Sequence, residues 1–271
     1  MLKFIVISDL HIVPEGNLSH AIDTTARLRA TVDWINTEHA DAAFVVLAGD
    51  LADHGEPDAY TRMKAETDRF AIPAYMTLGN HDDRANFLVA FPETEAAPTG
   101  YIDAVIALEE YRIVVLDTLL QGETKGHLDP AQITWLEAQL DASKGHPVIV
   151  VLHHNICDFG IPTDFTRLEN SEEMLAALNA HGDVRQVISG HVHMSTAGYA
   201  AGVPFTTIGG ATYSIAPRLR GPLNDVPRRE GPGQIGVVIA NEDRVVVHQE
   251  NVVDRNAVMP KELFWWEGGT S

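Results

Sequence analysis

Short β-branched, apolar runs alternate with longer segments of helical period along most of this chain, and that alternation restricts the fold to βαβ units around a largely parallel sheet. Residues 3–8, 43–48, 74–77, 112–117, 148–152, 185–189 and 204–208 read as buried strands. Residues 19–38, 57–70, 130–142 and 171–180 read as helices, with a shorter one at 84–90. The helix at Pro130 has the strongest local signal: Asp129 caps it, Pro130 suits its first position, and Ile133, Leu136 and Leu140 repeat on one face. Asn170 with Glu173 fits a reciprocal cap for the next helix, turning Leu175 and Leu178 inward. Beyond about Tyr199 the pattern changes, and 235–240 and 244–249 flank Asn241-Glu242-Asp243 as a hairpin, so the sheet is expected to end in antiparallel strands.

Residues 216–233 are rich in proline and glycine and carry Arg218, Arg220, Arg228 and Arg229, which reads as a long surface loop. With no internal repeat and no break in composition, one domain over 1–271 is expected. Its C-terminal segment, about 250–271 with an aromatic stretch at 263–266, is expected to pack on the core or to form a subunit contact.

Charge and composition exclude several classes of function. The 271 residues include 19 basic and 38 acidic side chains, a net charge of −19, which disfavours a nucleic-acid partner bound through a basic face. Cys157 is the single cysteine, so neither an internal disulfide nor a thiolate-rich zinc site can form. No apolar run is long enough to cross a bilayer, and residues 1–8 lead straight to Asp9 and His11 without a cleavage signal; no membrane partner and a cytoplasmic location are expected.

The ends of the strands carry the chemistry. Five strands run into metal-ligand residue types: Asp9-Leu10-His11, Gly49-Asp50-Leu51-Ala52-Asp53-His54, Gly79-Asn80-His81-Asp82, His153-His154 and Gly190-His191-Val192-His193. Seven of the 13 histidines lie in these blocks, too many for chance placement. Carboxyl ends of strands in α/β sheets are where ligand sites form, so blocks almost 190 residues apart can converge. Imidazole, carboxylate and amide donors without sulfur suit zinc, manganese, iron or cobalt. Two such ions about 3.5–4 Å apart need an anion between them, and Asp50 is the best placed to bridge. Glycines 49, 79 and 190 let the backbone turn close to the ions.

In order and spacing, these blocks resemble the signature of the calcineurin-like metallophosphoesterase superfamily: D-x-H, G-D-x-x-D, G-N-H-[DE], a histidine and G-H-x-H, here from Asp9 to His193. Within it, the chain is similar to class III cyclic nucleotide phosphodiesterases and bacterial glycerophosphodiesterases. The resemblance implies a four-layer α/β/β/α sandwich of two mixed sheets flanked by helices. It implies one ion on Asp9, His11, Asp50 and His193 and a second on Asp50, Asn80, His153 and His191. His81 takes the place of a histidine facing the substrate phosphate, with Asp82 as its orienting partner. His54 stands where protein Ser/Thr phosphatases carry arginine, and Asp53 where purple acid phosphatases carry a ligating tyrosine. Asp53 is expected to fix a histidine rather than bind an ion. His154 is either structural or substrate-facing, while His20, His39, His127, His146, His181 and His248 lack partners at ligand spacing.

The expected function is that of a binuclear phosphodiesterase using two divalent or mixed-valence ions (manganese, iron, zinc or cobalt) to hydrolyse a small phosphodiester, a cyclic nucleotide or glycerophosphodiester, by in-line attack of metal-activated hydroxide. His81, Asp50 and Asn80 are the expected catalytic residues. A phosphomonoesterase with the same site, or a non-catalytic scaffold, is the alternative. Two divalent ions, offset by Asp9, Asp50 and a hydroxide, leave a local charge of about +1, which draws a phosphodiester despite the acidic protein. The segments 155–168, with Cys157, Phe159, Phe165 and Arg167, and 216–229 are expected at the mouth, the latter also as a contact in a homo-dimer or larger homo-oligomer.

Overall fold

A computed structural model describes residues 1–219 and 228–253. The first sheet is built from β1 (Leu2–Ile7), β2 (Val45–Ala48), β3 (Ala74–Thr77), β12 (Gln234–Ala240) and β13 (Val245–Asn251), in the order β13-β12-β1-β2-β3. The second comprises β4 (Ala104–Ala107), β5 (Arg112–Leu116), β6 (Val148–Leu152), β7 (Val184–Ser189), β8 (Thr196–Ala200) and β9 (Val203–Thr207), in the order β4-β5-β6-β7-β9-β8. Both are mixed. β1, β2 and β3 run parallel with β12 and β13 antiparallel beside them, and β5, β6, β7 and β9 run parallel between antiparallel β4 and β8. A minimal ribbon pairs β10 (Ser214–Ile215) with β11 (Arg228–Arg229), so the expected loop at 216–233 has paired arms.

The period of two along each strand sorts the side chains into layers. Phe4 and Val6 face Ile113, Val115, Ile149 and Val151 across the space between the sheets, whereas Ile5, Ile7, Val45 and Leu47 face helices α1 (Thr24–Glu38), α2 (Pro57–Thr67) and α3 (Arg84–Ala90). Val114, Leu116, Val150 and Leu152 turn the other way, onto α4 (Pro130–Ala142) and α5 (Ser171–His181). The result is the expected four-layer sandwich of two mixed sheets, with the carboxyl ends of their parallel strands meeting along one edge.

Two local readings need correction. α1 begins at Thr24 rather than residue 19, because Ser19 and Ile22 pair with each other through a turn at His20 and Ala21, and Asp23 then caps the helix. Asn170 does not form the reciprocal cap with Glu173: its side chain reaches across to the amide and carbonyl of Leu128 instead. The expected reciprocal cap at Asp129 and Gln132 is present. Arg220 and the C-terminal segment beyond Val253, including 263–266, lie outside the described residues.

Candidate metal centre

Three of the five ligand-type blocks leave their strands through backbone that few L-residues adopt. Asp9, His11, Asp50, His191 and His193 all have φ between 45° and 71°, and they make up five of the eight such non-glycine residues among those described. Each left-handed residue costs on the order of 1–3 kcal/mol, and such strain gathers at functional sites. The turns are packed tightly. A Cβ on Gly49, itself at φ +86°, would lie 2.6 Å from the His153 ring, and one on Gly79 would strike the Asp50 carboxylate.

Four imidazoles are oriented from behind. His11 Nδ1 donates to Asp53 Oδ1 at 2.9 Å, His153 Nδ1 to the Ala48 carbonyl at 2.9 Å, and His193 Nδ1 to the Tyr213 carbonyl at 2.9 Å. Thr166 spends its hydroxyl proton on the Thr163 carbonyl, so it accepts from His191 Nε2 at 2.8 Å. The opposite nitrogens therefore face inward, where His11 Nε2 and His193 Nε2 are 3.1 Å apart and His191 Nδ1 and His153 Nε2 are 3.2 Å apart. Between them stand Asp9, 3.3 Å from His193 Nε2, and Asp50, 3.2 Å from His153 Nε2 and 3.8 Å from His11 Nε2. The side-chain oxygen of Asn80 is buried in the same cleft and has no hydrogen-bond partner among the described residues. Nitrogen and oxygen donors converge here as a divalent transition ion requires, and the orphaned amide oxygen fits the same role.

Titration follows from burial and charge. Burial holds the imidazoles of His11, His191 and His193 below the ordinary value, the last two at about 3 and about 4, so they stay neutral with lone pairs available. Burial pulls His153 the same way, but the charge of Asp50 outweighs it and lifts that imidazole to about 9. Burial would raise Asp50, yet His153, His81 and His11 together hold its carboxyl well below the carboxylate range. Asp9 is raised by burial.

His81 Nδ1 donates to the backbone carbonyl of Asp53 at 2.6 Å, and its amide donates to Asp50 Oδ1 at 3.0 Å. Burial opposes its protonation, but Asp50 and Asp53 overcome this and raise its pKa. The expectation that Asp82 orients this ring is corrected: the Asp82 carboxylate accepts from the amides of Gly79, Leu51 and Ala52 and from the Tyr60 hydroxyl, clasping two loops together. His154 is buried beside His153 and His191, with its ligand-type nitrogen within 4.8 Å of theirs, its Nδ1 2.7 Å from the Thr118 hydroxyl and its ring edge-on to His153. Of the segment 155–168, Thr163 and Thr166 line the cleft and Phe165 an adjoining cavity. Arg167 instead binds Asp158 and Ser171, and Phe159 stacks on Phe205. Sequence reasoning missed Tyr213, whose ring stacks on that of His193 with centroids 4.0 Å apart, and His20, whose ring meets Tyr213 at a tilt with centroids 4.6 Å apart.

Two mixed sheets sandwiched between helices, with ligand-type residues at the strand ends, define a metallophosphoesterase fold. A dimetal phosphatase from Danio rerio shares it, with a TM-score of 0.69 over 93% of this chain and 97% of that one at 17% identity. The family model of calcineurin-like phosphoesterases matches residues 2–195. A probable cyclic nucleotide phosphodiesterase from Rhodopseudomonas palustris is 32% identical over 252 residues, 92% of each chain. A probable glycerophosphodiester phosphodiesterase from Arcobacter nitrofigilis is 29% identical over 191 residues, 69% of this chain and 70% of that one. The chain belongs to the calcineurin-like phosphoesterase family.

Proposed function

We propose that the protein is a binuclear metal-dependent phosphodiesterase acting on a small phosphodiester, a cyclic nucleotide or a glycerophosphodiester. In this reading Asp9, His11, Asp50 and His193 hold one ion, Asp50, Asn80, His153 and His191 hold the other, and Asp50 is shared. The observation that carries it is the pair His11 and His193. Both are neutral, both have committed their outer N–H, and their inner nitrogens lie 3.1 Å apart. Two lone pairs at that separation repel, and a cation between them turns the repulsion into binding.

Manganese, iron, zinc or cobalt suits these donors, in divalent or mixed-valence pairs. Such ions, when bound, polarise phosphoryl oxygens and make hydroxide available at neutral pH for in-line displacement. The chain supplies the rest. The Asp53 carbonyl aims His81 Nε2 at the cleft, and the neighbouring carboxylates keep that imidazole protonated to higher pH. It is then able to donate to a phosphate oxygen or to the departing alkoxide. A substrate class of small diesters is supported by the names of the relatives. Self-association and a cytoplasmic location belong to the same proposal; no helix among the described residues is long and apolar enough to cross a membrane.

The test is product analysis with protein reconstituted with each metal in turn: nucleoside monophosphate from cyclic nucleotides, a phosphomonoester and free alcohol from glycerophosphodiesters, inorganic phosphate from phosphomonoesters, and nitrophenol from bis- and mono-nitrophenyl phosphate. Chelator-sensitive hydrolysis with diesters turned over faster is expected. Faster monoesters would assign a phosphomonoesterase, and the absence of metal-dependent hydrolysis would leave the alternative of a scaffold.

A further inference from the structure

Beside the metal cleft lies a second cavity of about 330 Å³, walled by Ile161, Phe165, Met194 and Ile215. Thr124, Thr163, Thr166, Ile215 and Arg228 border both spaces, so one molecule can occupy the two together. The inner wall includes Ile161 and Met194, which with Val192 form a small apolar cluster of their own apart from the main cores. The outer wall is Phe165, which leaves 65% of its surface exposed. Its support is stiff: it sits on the 3₁₀ turn Asp164–Thr166, and the Asp164 carboxylate accepts from the amides of Phe159, Gly160 and Ile161 at 2.8–3.0 Å. A large aromatic face held out over a cavity by three hydrogen bonds is placed to stack on a ligand rather than to fill a core.

The charge of this space is opposite to that of the protein. The chain carries −19 overall, yet the described residues lining the cavity include Arg218 and Arg228 and no carboxylate. We propose that this cavity is a subsite for a flat, uncharged ring borne on one alcohol arm of the diester, and that it turns away cationic arms such as choline. The proposal rests on the phosphodiesterase reading and narrows it. A guanidinium stacks well on a neutral heteroaromatic ring. A quaternary ammonium entering the same space meets two positive charges with no carboxylate among the described lining residues to offset them.

The experiment uses manganese-loaded full-length protein, unsubstituted and as Phe165→Ala and Arg218→Glu, with three diesters: adenosine 3′,5′-cyclic monophosphate, glycerophosphoglycerol and glycerophosphocholine. Titration calorimetry with adenosine 5′-monophosphate and with phosphocholine gives a readout independent of turnover. For Phe165→Ala, the ratio of kcat/KM for the cyclic nucleotide to that for glycerophosphoglycerol should fall about ten-fold through KM, with a matching loss of adenosine monophosphate affinity, as expected for one lost stacking platform. For Arg218→Glu, kcat/KM for glycerophosphocholine should rise about three-fold or more. Diester hydrolysis with ratios and affinities indifferent to both substitutions overturns the subsite and leaves the activity standing. Binding of adenosine monophosphate that depends on Phe165, without hydrolysis of any diester, keeps the subsite and overturns the activity.

Discussion

Removing the Asp53 carboxylate should weaken one of the two proposed metal sites far more than the other. Asp53 does not face the inner cavity of lone pairs; it takes the outer N–H of His11 at 2.9 Å and so fixes which nitrogen of that ring points inward. In Asp53→Ala the ring loses that acceptor and its tautomer and orientation are no longer enforced. A hydrogen bond to a charged acceptor is worth about 1.5–3 kcal/mol, which corresponds to roughly a 10- to 100-fold loss in affinity at the site that His11 serves. Asp53→Asn keeps an acceptor oxygen but not its charge and should fall between. His153 and His191 are oriented by Ala48 and Thr166, so the other site should hold its affinity. Competition calorimetry with a chelator of known manganese affinity resolves the two binding steps. Equal weakening of both steps, or none, would refute the argument that the back-side hydrogen bond sets the ligand.

Other outcomes follow from the same geometry. His81→Ala should slow alkyl diesters by about 10²–10⁴-fold and nitrophenyl diesters much less if the imidazole protonates the leaving group, and equal losses would restrict it to holding phosphate. Asn80→Ala removes the orphaned amide oxygen and should leave fewer than two ions per chain by elemental analysis. Asp103, remote from the site, is pushed up to about 7 by burial even though the Asp117 amide and Gln132 side chain donate to it. The native state therefore holds its proton where the unfolded chain has lost it, so this residue's contribution to stability declines as pH rises from about 4 to 7. Urea unfolding at pH 5 and pH 8 should show that decline shrinking in Asp103→Asn.

Strand runs and helix starts with strong local chemistry were readable from sequence to within a residue or two. Ala74–Thr77, Val148–Leu152, Arg84–Ala90 and Pro130–Ala142 have the predicted bounds. β4 and β8 escaped because edge strands need only one satisfied face; Thr196–Ala200 contains Gly198 and an exposed Tyr199 and shows no buried run. At the site, the histidines, Asp9, Asp50 and Asn80 were legible because each follows a strand. What holds them was not. Whether His81 is steered by the adjacent Asp82 or by the carbonyl of Asp53 depends on how two loops cross, and the Tyr213 ring reaches His193 from twenty residues further along the chain. Backbone carbonyls such as those of Ala48 and Tyr213 leave no side-chain trace at all.

The left-handed backbone at Asp9, His11, Asp50, His191 and His193 implies a tension between durability and catalysis. Glycine or asparagine accepts that conformation more readily, so substitutions such as His191→Gly or His191→Asn should relax the backbone there even as they disable the centre. In protein stripped of metal, such variants should melt at a higher temperature than the parent, and restoring the ions should reverse the ranking. A library selected for thermal endurance alone would then drift toward inactive sequences at these five positions, and useful stabilisation of this fold is better sought in the helices that clothe it.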